Sequence, residues 1–322
     1  MTNAEQPAPE APGFAGFWRR LAAWVLDFLA LGLVGWVLGL LIANALTAMG
    51  PWGRVFGFLV ACQYFAFFDS HWGQGQSLGK RIMGIRVLSS SGQLLTPWQA
   101  GLRFVPVGLP WFLNGAAFPP SLLSSWLIYP LTALMLGLAL SQLYLAVFNR
   151  PSRQLVHDVW LSTVVVPAVQ REAPRSQPLT KLSLSMCALL CVASGLAPWG
   201  IQRWASLQGA DLAAIQPVQE AVMAQPGVTH AQVGIGEGFT QSSQTERRQW
   251  RYLSVKAASR TPDVGTPARL QAIAQAALQA FPEGQQKDVL NVRLCHGYDI
   301  GIATSEHCEQ RNASPAEWLA GS

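Results

Sequence analysis

Residues 18–41, WRRLAAWVLDFLALGLVGWVLGLL, form an apolar run long enough for one helix to cross a bilayer, yet the run contains an acid, Asp27. About 20 apolar residues span the hydrocarbon layer. A carboxylate held inside such a helix costs several kcal/mol, faces away from lipid, and marks either a paired structural site or a path for an ion or solute. Arg20 precedes Asp27 by two helical turns, about 10 Å along the axis. That is too far for a helix-surface pair, which needs a spacing of three or four. The partner of Asp27 is therefore expected on another helix, with Arg103 the first candidate; an ion pair with Arg20 is the same-helix alternative. Gly35 and Gly39 share the face of Asp27 and form a Gly-x-x-x-Gly pair, which permits close backbone approach. One buried stripe of Asp27, Gly35 and Gly39 is predicted.

Composition agrees with a membrane protein. Only 12% of the 322 residues are charged, against about 25% in soluble domains. Charge is also unevenly placed: residues 1–202 carry a balance of +6 and residues 203–322 a balance of −1. Two kinds of domain are joined. Residues 1–16 are rich in Pro, Ala and Glu, have no Lys or Arg, and read as a disordered tail rather than a secretory signal. Further apolar segments lie at 55–68, 104–118, 121–148 and 182–201. The segment 104–118 is the weakest, because Pro106 and Pro110 interrupt it. Positive loops stay in the cytoplasm. Arg19 and Arg20, then Lys80, Arg81, Arg86 and Arg103, then Arg150, Arg153, Arg171, Arg175 and Lys181 fall on one side only if 104–118 crosses.

The expected fold is an α-helical integral membrane protein with five transmembrane helices and a small C-terminal α+β extramembrane domain. Its parts are a tail at 1–16, a four-helix membrane domain at 17–168, a cytoplasmic linker at 169–181, a fifth helix at 182–202 and a periplasmic domain at 203–322. The periplasmic part predicts helices over 212–225 and 266–281, two strands joined by the polar loop TQSSQTERR, and one or two closing strands. GIGEG, 234–238, is expected to be a bend or bulge between strands.

Three blocks resemble the RDD family of bacterial membrane proteins: FWRRLAAWVLDFLAL, GQSLGKRIMGIRVLSSSGQLLTPWQAGLRFV, and RQLVHDVWLSTVVV. The resemblance covers about residues 14–168. It implies that the family's Arg is Arg20, its first Asp is Asp27 and its second is Asp158, with Asp69 another acid near a membrane boundary. It also implies an anionic partner for Lys80, and transport as the usual suggestion for function.

Other motifs carry less. Gly75-x-x-x-Gly79-Lys80-Arg81 has neither the spacing nor the Ser/Thr of a phosphate loop, so its cations are expected at anionic lipid headgroups. His157-Asp158 has no nucleophile beside it, and a juxtamembrane salt-bridge network is expected. Cys295 and Cys308 are candidates for a disulfide in an oxidising compartment. The neighbours His296 and His307 would complete four zinc ligands, but the spacing fits no finger pattern. No catalytic residue, metal site or cofactor is assigned, and no nucleic-acid partner is expected. The leading expectation is an inner-membrane protein that transports an ion or small solute using Arg20, Asp27 and Asp158. The alternative is a non-transporting scaffold or sensor whose periplasmic domain binds an envelope partner, with a homo-oligomer open to either.

Overall fold

The computed structural model describes residues 13–207, 215–242 and 245–320. Most of the expected tail, 1–12, lies outside the described residues. Gly13 to Gly16 do not belong to a tail: the Ala15 amide donates to the Val165 carbonyl at 2.8 Å, and the Ala15 side chain is buried.

Among the described residues, three helical segments are long and apolar enough to cross a membrane: 17–68, 128–148 and 181–207. The first is a hairpin. Helix α1, Phe17–Met49, kinks at Ile42, and a 3-10 turn at Gly50–Trp52 leads into α2, Gly53–Phe68. From residue 23 to 39 the buried positions of α1 are Ala23, Asp27, Leu31, Gly35 and Gly39, a repeat of four that gives one stripe along the helix; Leu46, beyond the kink, is buried too. Trp18, Leu29, Leu33 and Leu40 lie on the exposed faces, as lipid requires. The segment expected at 104–118 is displaced. Helix α4 runs Pro97–Leu113, starting before the apolar run and enclosing Pro106 and Pro110. Its 17 residues are at the lower limit for a span. The run 121–148 is broken, with α5 at Pro120–Leu123, α6 at Ile128–Thr132, a π turn at Ala133–Gly137 and α7 at Leu138–Phe148. Helix α9 covers Lys181–Leu207 and exposes Leu182, Leu189, Val192 and Trp199.

The chain divides into two compact units: 1–33, 59–111 and 134–193 form the first, and 34–58, 112–133 and 194–322 the second. The first unit contains a short helix α3, Leu78–Ile82, and strand β1, Ile85–Ser89. Helix α8, Val156–Trp160, is followed by strand β2, Thr163–Pro167. Strands β1 and β2 pair antiparallel, with Val87 opposite Val165. Two strands alone are marginal in water. Here both faces are covered, one by Ala15, Ala23 and Leu95, the other by Phe14 and Ala173.

The second unit holds a four-stranded sheet in the order β3-β4-β5-β6. Its elements are α10 (Ile215–Met223), β3 (Val228–Ser242), β4 (Thr245–Ser259), α11 (Pro267–Ala280), β5 (Val289–Asp299), β6 (Thr304–Ala313) and α12 (Pro315–Ala320). Only β4 and β5 are parallel, and α11 makes the crossover between them. Val218, Leu253, Ile273, Leu278, Val292 and Trp318 belong to one core packed between the sheet and its helices. The expected bend at GIGEG is absent. Residues 234–238 lie within β3, in continuous register with 250–254 of β4. Glycine serves a different purpose there: a Cβ on Gly236 would lie 2.6 Å from the Tyr252 hydroxyl, and one on Gly238 2.5 Å from the Trp250 ring. The rings of β4 lie across β3 where side chains are missing. Most of the expected loop TQSSQTERR is likewise strand, since β3 reaches Ser242 and β4 begins at Thr245.

Within this second unit, the turn between β5 and β6 packs on the glycines of the first hairpin. A Cβ on Gly39 would meet the Tyr298 hydroxyl at 1.9 Å, and one on Gly57 the Ile300 carbonyl oxygen at 1.7 Å. Arg54 donates to the Asp299 carboxylate through Nε at 3.0 Å and Nη2 at 2.6 Å. The Gly35-x-x-x-Gly39 pair therefore receives a turn of the C-terminal domain, not a neighbouring helix. Cys295 and Cys308 are directly opposite in the register of β5 and β6 and are joined by a disulfide.

Candidate functional site

The buried stripe of α1 carries Asp27 to the start of α3. The Asp27 carboxylate accepts from the Tyr64 hydroxyl at 2.8 Å, the Ser77 hydroxyl at 2.5 Å and the Gly79 amide at 2.8 Å. The Tyr64 oxygen in turn accepts the Leu78 amide at 3.1 Å. The Gly79 amide is one of the donors that a helix start leaves unpaired, and Asp27 supplies its acceptor from another helix. Glycine is required at 79 by close approach: a Cβ would lie 2.0 Å from the Ala23 carbonyl oxygen. Asp27 is 1% exposed. Among the described residues no Lys or Arg pairs with it directly. The expected pairing with Arg103 or Arg20 is not made, because neutral donors reach the carboxylate first and both guanidiniums are engaged elsewhere.

Those guanidiniums converge on Asp158. Arg103 Nη2 lies 2.5 Å from Asp158 Oδ1, and Arg20 Nη2 lies 2.5 Å from Asp158 Oδ2. Thr163 donates to Oδ1 at 3.2 Å and the Leu155 amide to Oδ2 at 3.2 Å. Arg20 also donates to the Arg153 carbonyl. Arg103 reaches Asp69 at 3.2 Å, and Lys80 bonds both Asp69 oxygens at 2.8 Å. Lys80 closes the chain by donating to Ser77 at 3.1 Å, beside Asp27. One connected network thus ties α1, α2, α3, α4 and α8, with Asp27, Asp69 and Asp158 balancing Arg20, Lys80 and Arg103. Its groups are paired and hydrogen-bonded, the condition under which buried charge is tolerated.

Electrostatics follow the geometry. Burial alone would raise the Asp158 pKa, but Arg103 and Arg20 outweigh it and hold the carboxyl well below the usual range. His157 is also buried, and desolvation pushes it down to about 3. Its Nε2 lies 3.5 Å from Asp158 Oδ1. That contact counts as an ion pair only for a charged ring, and burial favours the neutral ring. The Nδ1 atom is buried with no hydrogen-bond partner.

The network borders a cavity of about 760 Å³ in the first unit. Asp27, Asp69, Arg20, Lys80, Arg103 and His157 line its polar side. Leu21, Trp24, Phe104, Val107, Leu143 and Val147 line its apolar side. The volume is within the range of small-molecule sites.

Four of the residues singled out from sequence, Arg20, Lys80, Arg103 and Asp158, are therefore in direct or shared contact, and Asp27 joins them through Ser77. Lys80 does not sit among lipid headgroups as expected, because Asp69 holds it inside; its neighbour Arg81 is the exposed cation. Tyr64, Ser77 and Thr163 were not anticipated. Their only signal is position, since charge pairing does not point to neutral donors. Among the described residues, one group with metal-ligand geometry occurs, Cys295, Glu306 and Cys308, but its two sulfurs are bonded to each other. His296, expected as a zinc ligand only on weak spacing, instead lies 3.1 Å from the Ser259 carbonyl.

The model of the RDD family matches residues 14–162. A Bacillus subtilis (strain 168) protein described as uncharacterized protein YckC is 30% identical over 158 residues, covering 49% of this chain and 87% of that protein. No solved structure matches.

Proposed function

The chain belongs to the RDD family, and on that premise we propose that its helical region moves an ion or small solute across a bacterial inner membrane by way of the cavity that Asp27 borders. The observation that carries this reading is the cavity itself, with an intramembrane acid and a charge-balanced network along one side. Asp27 is the acting group, because its carboxylate is held by neutral donors that would release it more readily than a guanidinium would. Arg20, Arg103 and Asp158 hold α1, α4 and α8 in place around it. In this reading α4 and the helix pair α6–α7 both cross, giving five spans, a cytoplasmic N-terminus and a periplasmic C-terminal domain. The placement of basic residues supports that topology. So does the seating of the β5–β6 turn beside the α1–α2 connection, which puts both at one end of the hairpin. Labelling single cysteines at Ser91 and Glu309 from either side of sealed vesicles tests it: the former should react only from the inside and the latter only from the outside.

Function is tested by proton and sodium flux in vesicles holding the purified protein. Asp27→Asn should abolish flux that the wild type supports; equal flux from both would sink the reading. A scaffold is the second reading, favoured by the near-complete burial of Asp27. Its mark would be a folded protein without flux, whose C-terminal domain retains an envelope protein.

A further inference from the structure

The network uses up its own charges, but the cavity has more. Arg150 and Arg153 also line it, both are exposed, and neither side chain has a carboxylate partner among the described residues. Their surplus charge selects an anion. Two further polar groups on the wall are unfinished. Nδ1 of His157, a side chain more than nine-tenths buried, has no partner, and neither does the buried Nε2 of Gln142. A proton on Nε2, facing the Asp158 oxygen 3.5 Å away, makes Nδ1 an acceptor, which suits a hydroxyl or amine donor. Gln142 presents a donor for an oxygen.

The remaining wall is apolar and open on one side. Leu21 and Trp24 of α1 and Leu143 and Val147 of α7 line the cavity and are themselves exposed. On membrane-spanning helices such residues face acyl chains. A free phosphate compound would find guanidiniums here but would leave that wall wet. An amphiphile satisfies both.

We propose that the cavity binds one anionic phospholipid with a hydroxylated headgroup, its phosphate at Arg150 and Arg153, its hydroxyl at His157 and its chains leaving between α1 and α7. This rests on the reading of the cavity as the working site and adds to it a bound lipid, distinct from the ion or solute moved. Arg153 sits in a left-handed backbone conformation, φ 49°, in the turn between α7 and α8, and Arg20 holds its carbonyl. The network thus anchors the backbone of the turn that carries both arginines.

The test uses the full chain in a neutral detergent, titrated with short-chain phosphatidylglycerol, phosphatidylmethanol, phosphatidylcholine and glycerol 3-phosphate. Retained lipid is read by native mass spectrometry and binding by tryptophan fluorescence, since Trp24 lies on the wall. Phosphatidylglycerol should bind one to one. The double variant Arg150→Gln/Arg153→Gln should weaken it about thirtyfold, the loss of two cation contacts to an anionic lipid. Phosphatidylmethanol, anionic without a hydroxyl, should bind about fivefold more weakly, the loss of one hydrogen bond. Leu143→Trp, which narrows the open side without touching the network, should also reduce uptake. Melting curves of the variants confirm that they are folded. Equal binding of phosphatidylcholine, an unchanged affinity in the arginine variant, or glycerol 3-phosphate binding as tightly as the lipid would each overturn the proposal. Flux and lipid binding fail separately. Absence of any Asp27-dependent flux with the lipid site intact refutes transport alone, whereas flux without lipid selectivity refutes the site alone.

Discussion

At the scale of single residues, Asp158 carries more of the architecture than Asp27. It is fully buried and receives two guanidiniums, a hydroxyl and an amide. Asp158→Ala leaves Arg20 and Arg103 without that partner, and removing one member of a buried pair costs about 3–5 kcal/mol. The purified variant should therefore melt well below the wild type. Acid should act in the same place. His157 titrates at about 3 in the folded chain and near 6.5 when unfolded, because burial, Arg103, Arg20 and Lys80 disfavour its charge and only Asp158 favours it. A depressed folded pKa means stability that is full above about 6.5 and lost as pH falls toward 3. Asp158 is depressed too, and its share is lost below the usual carboxylate range. Melting temperature should fall between pH 7 and pH 4, and His157→Gln should flatten that fall. The residue scale was partly legible in the sequence. The spacing of Asp27, Gly35 and Gly39 showed which way Asp27 faces. Its partners were hidden, since Ser77 and the Gly79 amide are neutral and lie about fifty positions away, and no helical spacing connects them.

At the scale of elements, glycine decides where pieces meet. Helix α3 can begin against α1 only because position 79 lacks a side chain. Gly79→Ala forces its methyl group toward the Ala23 carbonyl, and overpacking of this kind costs about 1–3 kcal/mol. Flux and stability should both drop, although no charge is altered. On α2, Gly57→Val should displace the β5–β6 turn from its seat. Hydrogen exchange should quicken at 298–303 while the β3–β4 ribbon stays protected. If exchange at the turn is unchanged, the seat is not where the structure places it. Elements were harder to read than single positions. Apolar length located α1, α2 and α9, but α4 begins in the polar stretch at Pro97, which hydropathy treats as loop. Pairing of β1 with β2 joins Ile85 to Pro167, a long-range contact that leaves no local pattern. At GIGEG the local rule failed because glycines that read as a bend make room for Tyr252 and Trp250.

At the scale of the whole molecule, two kinds of chemistry are joined in one chain. The first unit brings acids and bases from α1, α3, α4, α8 and the turn after α2 around a cavity with one apolar wall. The second unit is a disulfide-bearing sheet domain whose turn seats on glycines of the first hairpin. The uneven charge of residues 1–202 and 203–322 marks a change in composition, but the two compact units divide the chain elsewhere, since the second also takes in 34–58 and 112–133. The three blocks that resemble one family supply Arg20, Asp27, Lys80, Arg103 and Asp158, while the way these residues pair was not legible in them. The central claim is that the cavity beside this network is where the protein works. The most direct test fills it. Ala146 lines the cavity, is partly buried and takes no part in the network, so Ala146→Trp occupies the space and leaves the ion pairs alone. Vesicles holding this variant should show a wild-type melting curve and lose proton or sodium flux. A folded Ala146→Trp protein with undiminished flux would contradict the account.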